Sequence, residues 1–241
     1  MRVLAVGAHP DDLEILCAGT LSRYAAGGHS VTMAVATNGE LGSTRLSNQE
    51  TAALREKEAR AAAQLIGAEL VWMGYPDAFL FSREDTRRDF IDLLRRSRPD
   101  VILTHDPNDY HADHRTVAQL LMDVRMLGAV QKIETAHPAA ASVPEFFFMD
   151  TIAGVGFQPE VYVDVSATFA TKQHMLAKHE SQALWLKEQY GIGFLEFIEL
   201  TARYRGIQSG CRYAEGFRHW RVWPGRSATG LLPLAGAGGS P

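Results

Sequence analysis

The stretch RVLAVGAHPDDLEIL, residues 2–16, decides how the rest of the chain is read. Its first six residues form an apolar run closed by Gly7, the pattern of a parallel strand buried on both faces. A polar loop from Ala8 to Asp12 follows. An apolar-periodic stretch then runs from about Ile15 to Ala26, where Gly27 and Gly28 stop it. Residues 30–37, 69–73 and 100–104 repeat the strand pattern, and residues 48–66, 83–96 and about 113–127 read as helices. Later on, residues 145–149 and 160–165 read as strands, and 168–189 and 194–204 as helices. This alternation predicts an α/β fold, a Rossmann-like three-layer sandwich built on a mostly parallel sheet. In the common doubly wound order the first strand lies beside the fourth, and ligands bind at the C-terminal ends of that pair.

Composition narrows the classes of function. With 241 residues, 46% hydrophobic and 22% charged, the chain has the profile of a soluble globular protein able to bury a sizeable core. We expect a single domain over residues 1–224 and a loosely held Gly/Ala/Pro-rich tail over 225–241. A net charge of -4 provides no basic footprint, so nucleic acid is not an expected partner. No apolar run approaches membrane-spanning length, and the start of the chain has no signal-peptide pattern. Cys17 and Cys211 are too few for a disulfide framework, so the expected compartment is the cytoplasm.

The loops after strands one and four hold the chemistry. The first contains His9, Asp11, Asp12 and Glu14; the second contains Asp109, His111, Asp113 and His114. Either loop alone is a weak signal, but the predicted topology brings both to the mouth of one crevice. A catalytic zinc takes three nitrogen or oxygen ligands and keeps one position for water, whose pKa it lowers to about 7. His9, Asp12 and His114 suit that set, and Pro10 fixes the turn between the first two. Asp11 is then free to take a proton from the water. A protonated His111 would face the oxyanion, and Asp113 would orient His111 and keep it charged. Either Asp11 or His111 would protonate the leaving amine.

These residues resemble the LmbE-like, or PIG-L, zinc-dependent de-N-acetylases, a family that includes the glycosylphosphatidylinositol-pathway deacetylases. Its first motif stands intact at Ala8 to Glu14. Its His-x-Asp-His motif stands at His111 to His114, with Ala112 where proline is frequent. The likeness continues through Thr37 to Glu40, Arg55 with Glu58, Gly74 to Asp77 and Tyr213 to Phe217, and within the family it is nearest the bacillithiol type that deacetylates N-acetylglucosaminyl conjugates. The resemblance implies zinc on His9, Asp12 and His114, with Fe2+ or another divalent ion as an alternative. It implies Asp11 as base, His111 as oxyanion stabiliser, and substrate contacts from Arg55 and Asp77. It also implies a homo-oligomer, a hexamer being one form. The aglycone stays open: a malate, an inositol, an antibiotic core or another group.

Plainer readings exist for several positions. Arg55 and Glu58, at i and i+3 of a helix, fit a surface ion pair. Asp11 or Asp113 fits a helix cap, Asp77 a turn residue, and His105 either a second layer around the metal or a ring bonded to backbone. His29, His137, His174, His179 and His219 have nothing to group them with the site. Two rival activities share part of the pattern. An amidase acting on thiol conjugates would use the same residues. A non-haem iron oxygenase would use the same His, carboxylate, His triad. A dinucleotide site is disfavoured, because the turn after strand one has no G-x-G-x-x-G.

Overall fold

In the computed structural model, which describes residues 1–191 and 193–223, the first strand β1 (Arg2–Gly7) pairs in parallel on both sides. One neighbour is β2 (Ser30–Thr37) and the other is β4 (Val101–Thr104). The chain leaves β1 through α1 (Asp12–Leu16) and α2 (Ala18–Ala26), runs through β2 and α3 (Asn48–Gln64), and reaches the edge at β3 (Glu69–Tyr75). It then crosses behind β1 by way of α4 (Glu84–Ser97) to enter β4 on the other side. This reversal makes the β1/β4 boundary the switch point, as the sequence predicts. Beyond it come α5 (Ala112–Val124) and β5 (Glu145–Met149), the last parallel strand. Among the described residues the sheet has seven strands in the order β3-β2-β1-β4-β5-β7-β6, with β6 (Val161–Asp164) and β7 (Ala214–His219) antiparallel at the far edge.

Alternation along the strands explains the two packed layers. Val3, Ala5, Val101 and Leu103 face one core together with Leu13, Leu21 and, from α6 (Phe169–Leu176) and α8 (Phe194–Ser209), Met175 and Ile198. Leu4, Val6, Ile102 and Phe146 face the other, under α4 and α5. Each fully buried Leu, Ile or Phe there contributes about 1.5–3 kcal/mol of transfer free energy. The long helix α3 starts at Ser47, whose hydroxyl accepts from the Glu50 amide while the Glu50 carboxylate accepts from the Ser47 amide.

Three sequence expectations need correction. The helix read from Ile15 to Ala26 starts earlier and breaks at Cys17. The cause is an ion pair buried beneath it: Lys172 Nζ donates to the Ile15 carbonyl (2.7 Å), while the amides of Gly19 and Thr20 donate to the Glu215 carboxylate (2.9 and 2.7 Å). Lys172 and Glu215 lie 2.6 Å apart and take the place of the helical bonds a continuous helix would make. The helix read over 168–189 is two, α6 and α7 (Glu180–Tyr190), separated at His179, which is buried against Glu14. Residues 214–219, read only as a motif, are a strand. The tail read over 225–241 lies outside the described residues. Among the described residues, no helix is long and apolar enough to cross a membrane.

Candidate active site and metal centre

The loop after β1 folds back sharply. A side chain at Gly7 would meet Asp12 Cβ and Leu13 Cγ at 3.1 Å, tight enough to press on α1, so glycine eases the close approach of the strand end to that helix. The His9 amide donates to Asp12 Oδ2 (2.7 Å), which closes the turn around Pro10. Asp11 then takes a backbone φ of 113°, a left-handed conformation that costs a non-glycine residue about 1–3 kcal/mol. Arg55 holds it there. The residue is 3% exposed, and its guanidinium donates to the carbonyls of Pro10 (2.6 Å) and Gly39 (2.9 Å) and lies 3.4 Å from Asp11 Oδ2. The surface pair with Glu58 does not form. Glu58 instead accepts from the amide and hydroxyl of Ser181, at the start of α7. Asp11 precedes α1, yet its carboxylate makes no capping bond and faces the cavity described below.

The loop after β4 supplies the imidazoles. Asp109 accepts from the His111 amide (2.9 Å) and bonds His114 Nδ1 (3.0 Å), which turns His114 Nε2 to within 3.3 Å of Asp12 Oδ1. His105 stacks on His114 with ring centres 3.9 Å apart, and its Nε2 accepts from the Ala8 amide (3.0 Å), placing it directly behind the ligand candidates. His9 lies on the opposite side, with Nδ1 3.4 Å from Asp12 Oδ2. Three sets have ligand atoms close enough to share an ion: His9, His111 and His114; Asp12, His105 and His114; and His9, Asp77 and Asp113. None of the three sets joins the predicted ligands His9, Asp12 and His114; what links those three is Asp12, which lies 3.4 Å from His9 and 3.3 Å from His114. Sequence reasoning gave Asp109 no role and left that of His105 open.

Asp113 departs from expectation. Its carboxylate does not bond His111; Oδ2 meets His9 Nε2 (3.2 Å) and accepts from the Ala78 amide (2.9 Å). His111 Nδ1 accepts from the Asp113 amide at the start of α5, which leaves the proton of a neutral ring on Nε2. Asp77 meets His9 Nε2 through Oδ1 (3.2 Å) and accepts from the Leu41 amide through Oδ2, so it is more than a turn residue.

Charge is crowded here. Burial pushes the Asp11 carboxyl up to about 6; Arg55 works against the rise and Asp12 adds to it. Burial alone would raise Asp12, but His114 and His105 outweigh it and hold that carboxyl well below its ordinary value. Burial would lower His9 and His114. Carboxylate partners reverse this, taking His9 well above the usual imidazole range and His114 to about 9. His105 is lowered to about 4 by burial and then by His114. His111 is also lowered, first by burial and then by His9 and His114, so the charged ring expected from the sequence is disfavoured.

These groups open into a cavity of about 520 Å³. No signal in the residues marks its other wall, where Trp185, Leu186, Phe194 and Phe197 come from α7 and α8. His179, which nothing in the sequence tied to the site, is fully buried with Nε2 3.5 Å from Glu14 of the first motif.

Over residues 4–125, half of its length, the chain matches the family described as PIG-L, GlcNAc-PI de-N-acetylase. The chain belongs to the PIG-L family. The matched stretch contains both site loops. A diacetylchitobiose deacetylase of Thermococcus kodakarensis is 28% identical over 227 residues, spanning 90% of this chain and 82% of its own. The structure of N,N'-diacetylchitobiose deacetylase from Pyrococcus horikoshii superposes with a TM-score of 0.80 at 27% identity, covering 90% of this chain and 83% of that one. A 4-carboxy-2-hydroxymuconate hydratase from Pseudomonas putida gives 0.81 at 20% identity over 95% of this chain and all of that one, a likeness of fold. PIG-L relatives thus share this sheet and its flanking helices.

Proposed function

We propose that this chain removes the acetyl group of an N-acetylglucosaminyl conjugate by hydrolysis, with one divalent cation, releasing acetate and the free amine. The observation that carries this reading is the meeting of His9, Asp12 and His114 with a buried, strained Asp11 at the mouth of the β1/β4 crevice. The donor set fits a cation. Asp11, Asp12, Asp77, Asp109 and Asp113 are all buried around it, with Arg55 as the fixed positive charge beside Asp11. The protons that His9 and His114 retain are those a bound ion displaces. His9, Asp12 and His114 would hold the ion; zinc is the first choice, and Fe2+ suits the same donors. When bound, it lowers the pKa of a water and polarises the amide carbonyl.

The chain's own residues supply the proton transfers. Asp11 accepts the proton of the attacking water, a task for which a carboxyl near 6 is well placed at neutral pH. It returns that proton to the leaving amine. His111 donates from Nε2 to the developing oxyanion as a neutral ring. Asp113 positions His9, and Asp109 positions His114. Arg55 steadies the loop that bears the base, and Asp77 offers its remaining lone pairs to a sugar hydroxyl. A cytoplasmic location, which rests on the low cysteine usage, and a homo-oligomer, which rests on the family resemblance, belong to the same reading; light scattering of the purified protein tests the second.

The test is acetate release from N-acetylglucosaminides by the zinc-loaded protein and its Asp11→Asn variant. We expect a loss of about 10²–10⁴-fold with bound metal unchanged. Full activity in the variant, or none in the parent protein, refutes the proposal.

A further inference from the structure

Resting on the deacetylase reading, we infer that the aglycone this site takes is an uncharged ring with an apolar face, and that aglycones bearing carboxylate or phosphate are disfavoured. The argument starts from the lining of the cavity. Apart from the imidazoles, Arg55 is its one cationic side chain among the described residues. That guanidinium already donates to the Pro10 and Gly39 carbonyls and faces Asp11, and a side chain at Gly39 would stand 2.5 Å from its Nη1, so the packing keeps it turned toward the base. Asp11, Asp12 and Asp77 line the same space with the opposite sign. An anionic aglycone would give up its hydration and find no free cation to repay it.

The rest of the wall is built for something else. Trp185 and Leu186 of α7 and Phe194 and Phe197 of α8 present an apolar surface to the cavity. All four lie beyond residue 125, where the family match ends. Two ties hold this wall against the loop after β2. Gln182 Nε2 donates to the Gly42 carbonyl (3.0 Å), and Arg45 pairs with Glu188. The second tie also commits the arginine nearest Gly42 in sequence to a partner on α7. A flat ring meets such a wall with its apolar face and keeps its polar edge toward Gln182 and Asp77. An aryl group and the C–H face of a second sugar share this chemistry.

The experiment compares kcat/KM for acetate release from free N-acetylglucosamine, its phenyl β-glycoside, its β1,4-linked disaccharide N,N'-diacetylchitobiose, and its malyl glycoside. The expected result is that the phenyl glycoside or the disaccharide exceeds the malyl glycoside by roughly tenfold or more, and the ratio between those two identifies which ring is preferred. Trp185→Ala should raise KM for the favoured substrate with kcat little changed, since the wall binds ground and transition states alike; Trp185→Phe should restore most of the loss. Melting curves of both variants establish that they fold. Acetate release that is equal or faster with the malyl glycoside overturns this inference and leaves the deacetylase reading standing. Release from none of the four removes both.

Discussion

Replacing Arg55 by methionine tests how the base is held. In the folded protein the guanidinium lies 3.4 Å from Asp11 Oδ2 and opposes the rise in the Asp11 pKa that burial causes. An opposite charge at that range lowers a carboxyl by about 1–3 units, so its loss should raise Asp11 from about 6 to roughly 7 or above. The active form of a base is the deprotonated one, so the acid limb of kcat/KM should move to higher pH by the same amount. At pH 6 the ionised fraction falls from about a half to about a tenth for a shift of ~1 unit, roughly a fivefold loss, and activity recovers above pH 8. The variant also leaves the Pro10 and Gly39 carbonyls without a donor, and stability should fall by about 3–5 kcal/mol. The assay is acetate release from N-acetylglucosamine between pH 5 and 9 at 25 °C, with circular dichroism to confirm folding. Arg55→Lys keeps the charge and should leave the limb near its original place. A folded Arg55→Met protein whose acid limb does not move refutes the reasoning.

Removing the metal with a chelator should abolish acetate release and lower the melting temperature. Adding back zinc at a thousandfold over its Kd should restore about 4 kcal/mol of stability, and a melting curve indifferent to zinc would contradict the assigned ligands. Lys172→Met strands the Glu215 carboxylate in the core beside the Gly19 and Thr20 amides, and should cost about 3–5 kcal/mol in urea denaturation. Combining it with Glu215→Leu should recover much of that cost; a double variant no better than the single one would show that the pair is not the source.

The first half of the fold was legible because its strands are near-continuous apolar runs and its loops carry glycine where the chain turns. The breaks were not. Cys17 and His179 interrupt helices with no proline or glycine at the break. At Cys17 the cause is a buried pair from elsewhere in the chain, Lys172 with Glu215, which takes the backbone bonds; at His179 the ring is buried beside Glu14. Strand β7 was hidden for the same reason: Glu215 and Arg218 make it look like surface, yet Glu215 is buried and Arg218 pairs with Asp106. In the site, His9, Asp12 and His114 could be read from residue type and topology. The partner of Asp113 could not, because His9 and His111 are both near and only the coordinates choose between them. The apolar wall was invisible because a tryptophan and two phenylalanines on helices read equally well as core.

The backbone of Asp11 has one more consequence. A residue that must sit at φ 113° is a poor place for a β-branched side chain, and even a sterically similar replacement inherits the same twist. Glycine there would relax the turn while deleting the carboxylate. A protein without its base is therefore one substitution away; its relaxed turn is set against a buried Arg55 guanidinium left without its charge partner, and it would suit trapping a bound substrate intact.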